Sequence, residues 1–154
     1  MLLKITLLLN LLAWSIIAGQ AYMYIISLTD VSKNLDAPGY IRFRQLTDRN
    51  FMAKYKWVIY AAMILTPLLC ILTIKQNGFV LACSLVTLLC LVLDLVFTMK
   101  GNMPINKLIN TWTVENYAPD WERYREKWLS IYSRRQVVTI AGFISLLIAA
   151  LFGN

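Results

Sequence analysis

Four long apolar segments alternate with polar segments along the chain. The apolar segments cover about residues 2–28, 57–74, 78–99 and 136–152. Each reaches the roughly 17–25 residues that an α-helix needs to cross a hydrocarbon core of about 30 Å. The sequence KQNG at 75–78 leaves room only for a tight turn between antiparallel helices. The pattern therefore predicts an all-α fold, a polytopic membrane four-helix bundle that forms one domain over residues 1–154.

The polar segments at about 38–56 and 103–135 are amphipathic. Four aromatic residues recur at intervals that place them on one face of a helix: Trp121, Tyr124, Trp128 and Tyr132. We expect this fourth helix to begin near Pro119 or Asp120. The earlier segment has a similar pattern, with inward positions predicted at Tyr40, Phe43, Leu46 or Thr47, and Phe51. Both segments predict helices that extend beyond the membrane at one end of the bundle.

Basic residues are concentrated in the two long polar segments. The net charge is +7, and of the fifteen Lys and Arg residues six lie in 29–56 and seven in 100–135, which leaves only Lys4 and Lys75 elsewhere. The positive-inside rule then predicts that both long segments are cytoplasmic and both termini are outside. Anionic lipids account for the charge, at about 1 kcal/mol per nearby basic residue, so we expect membrane lipids and no nucleic acid as partners. The location expected is a plasma membrane, the bacterial inner membrane. The first segment resembles a signal peptide, but we expect it to be retained as a helix.

The composition excludes several kinds of active site. Hydrophobic residues make up 59% of the chain, charged residues 15%, and histidine is absent. Haem–His ligation, His-based metal catalysis and Ser-His triads are therefore excluded. We expect Cys70, Cys83 and Cys90 to be packing thiols, because no basic residue adjoins them in the sequence and no C-x-x-C is present. A Cys70–Cys83 bridge stays open as an alternative, and we predict no metal site and no cofactor.

Two polar residues interrupt the apolar spans at the basic end. An ionised carboxylate such as Asp94 costs about 2.5–3.5 kcal/mol on insertion scales, so it should face the bundle interior. It forms either a structural ion pair with Lys100, Arg134 or Arg135, or an acid–base group in a cavity. Gln20 needs a partner from another helix. Tyr24, near it in the first span, is either an interfacial anchor or part of a site.

The stretch KGNMPINKLINTW at 100–112 carries two helix-breaking residues and three asparagines spaced by four. Gly101 and Pro104 predict that the third helix stops or kinks at 100–103. Asn102 then suits the N-cap of a new short helix. If that helix continues, Asn106 and Asn110 share its face, and we expect Asn106 to point toward the start of the fourth helix, near Arg134 or Arg135.

The second half of the chain resembles the anthrone-oxygenase-like family of four-helix membrane proteins. The family carries an N-x-P-x-N element after its third helix, an aromatic–basic segment, and an arginine entering its fourth helix. The matching residues here are Asn102, Pro104 and Asn106, then Trp121, Tyr124, Arg125 and Trp128, then Arg134 or Arg135. The resemblance covers most of the chain, although the first half matches only through AGQAYMY in helix one. A histidine that some members carry near this arginine is absent.

The resemblance implies a cofactor-independent oxygenase, or a binder of an aromatic or lipid-like small molecule. Asp94 would be the base, Asn106 would hydrogen-bond a carbonyl or oxyanion, and Arg135 would supply positive charge. The ligand would contact Gln20, Tyr24, Asn102, Trp112, Trp128, Tyr132 and Arg134.

Two other functions stay open. One is a non-enzymatic membrane subunit or scaffold that docks lipid headgroups or a partner protein. The other is a glutathione-type membrane transferase, which requires an arginine-rich cleft built from Arg123, Arg125, Arg134 and Arg135. A cavity lined by Asp94 and Asn106 would favour ligand binding. Side-chain pairs with no void would favour the scaffold.

Overall fold

The computed structural model describes residues 1–153, and in that part of the chain four long helices form the fold. They are α1 (Leu2–Asn34), α2 (Ala37–Thr73), α3 (Gly78–Ile109) and α4 (Trp121–Phe152). All four are long and apolar enough to cross a membrane, and residues 1–153 contain no strand. The predicted all-α four-helix bundle is confirmed.

The helices are longer than a membrane requires, and the extra length lies at one end. At 1.5 Å per residue, the 32 residues of α3 or α4 span about 48 Å, roughly 18 Å more than a hydrocarbon core. At the other end the chain turns tightly between α2 and α3, where the Asn77 side-chain amide donates to the carbonyl of Gly153 at 3.0 Å. The extension therefore contains the basic segments 29–56 and 100–135, and we call this end of the bundle the basic end.

Three of the four helices contain a π-helical turn near the basic end. These turns are Tyr24–Leu28 in α1, Phe51–Tyr55 in α2 and Thr98–Asn102 in α3. Helical structure continues past each of them, so the long polar segments are mostly helix and only residues 35–36 and 110–120 separate helices at this end.

Of the stop or kink predicted at 100–103, the stop is wrong, because α3 continues through Pro104 to Ile109, but a π-helical turn at Thr98–Asn102 interrupts the regular α-helix at this place. A proline inside an α-helix lacks an N–H, and its ring collides with the carbonyl four residues earlier. The wider π-helical turn directly before Met103 changes this register and accommodates the proline. Gly101 also serves packing: a Cβ at this position would lie 2.7 Å from Cγ2 of Ile131, so glycine permits the close approach of α3 to α4.

Capping residues define two of the helix starts. Asp36 accepts a hydrogen bond from the backbone N–H of Gly39 at 3.0 Å, and a proline lies in the first turn of α2. Asn77 accepts from the N–H groups of Phe79 and Val80 at the start of α3. The start of α4 at Trp121 lies one residue after the predicted Asp120.

The buried side chains form two clusters. The apolar core between the spans is centred on Trp14, and Gly142 makes room for this indole, since a Cβ there would lie 2.5 Å from the ring. The second cluster lies at the basic end and is rich in aromatic residues, and we call it the aromatic cluster: Tyr24, Tyr40, Ile41, Ile105, Ile109, Trp112, Trp128, Leu129 and Tyr132. Cys70, Cys83 and Cys90 are free thiols, so the Cys70–Cys83 bridge does not form.

The inward face of the first part of α2 differs from the predicted one. Tyr40 is buried as expected, and Ala37, Ile41 and Arg44 are buried with it. Leu46, predicted as a possible inward residue, is 48% exposed. Arg44 is therefore buried although the sequence pattern had not placed it on the inward face.

Candidate functional site

A buried ion pair joins α3 to α4 at the basic end. Nε of Arg135 donates to Oδ1 of Asp94 at 2.7 Å, and Nη2 donates to Oδ2 at 3.4 Å. Asp94 is 2% exposed. Two parallel N–H bonds fix the relative orientation of such a pair. The prediction that Asp94 faces a basic partner on another helix is confirmed, and the partner is Arg135.

Asn102 belongs to this ion-pair network and is not an N-cap. Its Oδ1 accepts from Nη1 of Arg135 at 3.2 Å, and its Nδ2 donates to the carbonyl of Trp128 at 3.0 Å. The predicted capping role is wrong, because the helix does not begin here and the side chain makes no bond to a local backbone N–H. Asn102 is 1% exposed and connects two helices.

Asn106 lies at the centre of a second network, on the α2 side. Its Oδ1 accepts from Nη2 of Arg44 and from Nε1 of Trp128, both at 2.8 Å. Its Nδ2 donates to Oδ1 of Asp48 at 2.9 Å. Nη1 of Arg44 donates to the hydroxyl of Tyr24 at 3.1 Å. Asn106 does point toward the first part of α4, as expected, because it binds Trp128 there. Its arginine partner, however, is Arg44 of α2 and not Arg134 or Arg135.

The two networks meet at a stack of four side chains. The Arg44 guanidinium carbon lies 3.7 Å from the centre of the Trp128 ring, and the Trp128 and Tyr132 rings are stacked with centroids 4.9 Å apart. The Arg135 guanidinium carbon lies 5.2 Å from the Tyr132 ring. Cation–π attraction of about 0.5–2 kcal/mol acts at each end. The stack, in the order Arg44–Trp128–Tyr132–Arg135, joins the two networks. We call these four residues, together with Asp94, Asn102 and Asn106, the polar centre.

A small enclosed cavity adjoins the polar centre. Polar side chains from all four helices line it, together with the apolar Ile17 and the hydroxyl-bearing Thr139. The polar residues are Gln20, Tyr55, Asp94, Tyr132 and Arg135. Its volume of about 10 Å³ holds roughly one water molecule. Asn106 does not line this cavity.

Six predicted site residues do not line the cavity: Tyr24, Asn102, Asn106, Trp112, Trp128 and Arg134. Arg134 is exposed and does not line the cavity. Trp112 is buried in the aromatic cluster, where it packs edge-on against Tyr124 with centroids 5.6 Å apart. Tyr24 lies in the same cluster, 4.5 Å from the Tyr132 ring, and reaches the polar centre through Arg44.

The arginines that would form a glutathione cleft do not converge. Arg123 and Arg134 are exposed, whereas Arg125 donates to the carbonyl of Lys33 at 2.9 Å and so holds the end of α1. Only Arg135 of the four enters the polar centre. The transferase alternative therefore lacks the cleft it requires.

Sequence reasoning missed Arg44, Asp48 and Tyr55. Tyr40, Arg44 and Asp48 recur every four residues, so they share one face of α2. This spacing was a usable signal, but basic residues had been assigned to the solvent face. Tyr55 belongs to a π-helical turn, which shifts the face that a 3.6-residue period predicts.

Comparisons of the chain with protein-family models, with curated proteins and with solved structures give no match.

Proposed function

We propose that this chain is an integral membrane protein that binds a small aromatic or lipid-like molecule beside the polar centre, with Asp94 as the acid–base group. In this proposal the basic end faces the cytoplasm, in keeping with the distribution of Lys and Arg. The membrane is the plasma membrane.

The observation that carries the proposal is the position of the π-helical turns. Each of the three turns contributes one side chain to the site: Tyr24 binds Arg44, Tyr55 lines the cavity, and Asn102 binds Arg135. Such turns are rare and occur frequently at functional sites. Charged side chains within membrane helices mark functional sites as well.

The roles follow from the chemistry of each group. Asp94 lines the cavity and accepts a hydrogen bond from Arg135, so in this proposal it is the group that accepts a proton from a ligand there. Arg135 and Asn102 supply N–H donors for an oxygen that gains negative charge. The family resemblance implies oxidation of an anthrone by dioxygen to an anthraquinone and water, a reaction that begins with proton removal. A ligand of this size fits only if the side chains around the cavity move.

Anthrone is the probe that tests the proposal. The purified protein in neutral detergent should accelerate the appearance of anthraquinone absorbance above the spontaneous rate, or at least bind anthrone saturably. Asp94→Asn should abolish acceleration, whereas Asp30→Asn, an exposed acid on α1, should retain it. Wild-type protein with neither binding nor acceleration would refute the proposal.

A second candidate is the non-enzymatic membrane subunit or scaffold. The cavity holds only about one water, and Asp94, Asn102 and Asn106 are all engaged in side-chain hydrogen bonds. Under this function, variants of these residues lower stability and change no ligand affinity. Measuring unfolding and anthrone binding on the same Asp94→Asn protein therefore separates the two.

A further inference from the structure

Arg44 is a buried cation whose charge is not directly compensated. Its side chain lies among the buried residues of α2, with the residue 4% exposed. Among residues 1–153, no carboxylate lies within 4.0 Å of its nitrogens. The nearest acid in its network is Asp48, which Arg44 reaches only through the amide of Asn106.

The guanidinium has unused donors. Arginine carries five N–H groups, and within residues 1–153 two of them donate, one to Tyr24 and one to Asn106. Nε is buried and has no hydrogen-bond partner in that part of the chain. A neighbouring Nε–H and Nη–H pair is the edge that binds a carboxylate or another oxyanion through two parallel bonds.

Neither acid of the two networks contacts Arg44 directly, because Asp94 binds Arg135 and Asp48 accepts from the amides of Asn106 and Asn110. The fully buried acid of the polar centre, Asp94, is already paired with Arg135. Arg44 therefore depends on the π face of Trp128 and on neutral oxygens. Burying a cation with so little compensation is costly, and arginines are almost never fully buried unless paired.

We infer that the ligand of the polar centre is an anion, an aromatic or lipid-like molecule with a carboxylate, enolate or phenolate group, and that Arg44 is the residue that recognises it. This inference rests on the proposed function and specifies its ligand. Trp128 and Asn106 hold the guanidinium in place, so that its unpartnered Nε–H is oriented before the anion arrives. The anion replaces the missing counter-charge, and a neutral ligand of the same shape does not.

A pair of probes of equal shape tests the charge requirement. These are 2-naphthoate, an anion at neutral pH, and 2-naphthamide, which is neutral. Their affinities are measured on wild-type protein, Arg44→Gln and Arg44→Lys in the same neutral detergent. Each probe partitions into the micelles to the same extent with every variant, so this partition cancels when the affinities of one probe for two variants are divided. Arg42→Gln is the matched control, because Arg42 is exposed on the same helix.

The preference for naphthoate is the Kd of naphthamide divided by the Kd of naphthoate. This preference should be at least about tenfold larger for wild-type protein than for Arg44→Gln. Arg44→Lys should retain part of this preference, and Arg42→Gln all of it. Equal binding of both probes by wild type, or a preference that survives Arg44→Gln, would overturn the role of Arg44 and leave the proposed function intact. If wild type binds neither probe nor anthrone, the proposed function itself fails. If Arg44→Gln does not fold, the preference for naphthoate is compared between wild type and Arg44→Lys, and an equal preference in both would overturn the role of Arg44.

Discussion

Replacing both members of the Asp94–Arg135 pair should be far less harmful than replacing either one. Asp94→Leu leaves a guanidinium buried against Tyr132 and Asn102 with no anion. Arg135→Met leaves a carboxylate that is 2% exposed with no cation. The double variant removes both charges and keeps similar side-chain volumes.

The expected magnitudes follow from the burial. Removing one partner of a buried pair costs about 3–5 kcal/mol, so independent effects would add to about 6–10 kcal/mol. Replacing a buried pair by apolar groups of similar volume is often neutral. The double variant still leaves Oδ1 of Asn102 without its donor, which costs about 1–3 kcal/mol. The double variant should therefore lose about 2 kcal/mol, and the coupling energy should be about 4–8 kcal/mol.

Reversible unfolding in mixed micelles of neutral and anionic detergent measures these free energies, with tryptophan fluorescence and circular dichroism as signals. Arg134→Met is the control, since this neighbouring arginine is exposed and should change stability by less than about 0.5 kcal/mol. The folded double variant should also fail to accelerate anthrone oxidation. Additive losses from the two single variants would refute the reasoning, because they would mean that the two charges do not compensate each other.

Three further predictions use the same bundle. Asn106→Ala removes three hydrogen bonds, two of them to charged partners, and should lower the free energy of unfolding by about 2–4 kcal/mol in the micelle assay; a loss below about 0.5 kcal/mol would contradict it. Gly101→Ala should destabilise the protein by about 1–2 kcal/mol, although alanine is the better helix former, because its Cβ meets Ile131, and adding Ile131→Ala should relieve the clash. Cysteine at exposed Lys75 should react with an impermeant maleimide in intact cells, and cysteine at exposed Glu115 only after permeabilisation. The opposite labelling pattern would reverse the proposed orientation.

The sequence predicted correctly the features that depend on whether a segment or side chain is apolar or polar. Apolar length located the four spanning helices, and the aromatic period located the start of α4 to within one residue of Asp120. The insertion cost of a carboxylate required a partner for Asp94, and Arg135 was one of the three candidates. These predictions succeed because they rest on free energies of transfer from water, which do not depend on how helices are arranged.

The sequence was misleading where helix geometry departs from the ideal. A π-helical turn adds one residue to a turn, so every side chain beyond it rotates relative to the 3.6-residue pattern. The turn Phe51–Tyr55 lies after Arg44, so it changes the expected position of Tyr55 but not that of Arg44, which was missed because the predicted inward face contained only apolar, aromatic and hydroxyl residues. The turn Thr98–Asn102 lets the helix continue through Pro104, where a stop or a kink was predicted. The partner of Asn106 depends on the arrangement of α2, α3 and α4 together, and spacing within one segment does not contain it.

Amide side chains recur at Asn102 and Asn106 of α3 and at Asn110, the residue directly after this helix. Asn102, Asn106 and Asn110 do share one face, as their spacing by four predicts, but the face spans the gap between α4 and α2. An amide has an oxygen that accepts and a nitrogen that donates. Asn106 therefore binds the cation Arg44 with one atom and the anion Asp48 with the other. An aspartate would retain Arg44 but would repel Asp48, and a leucine would bind neither, so only an amide joins the two charges through one short side chain.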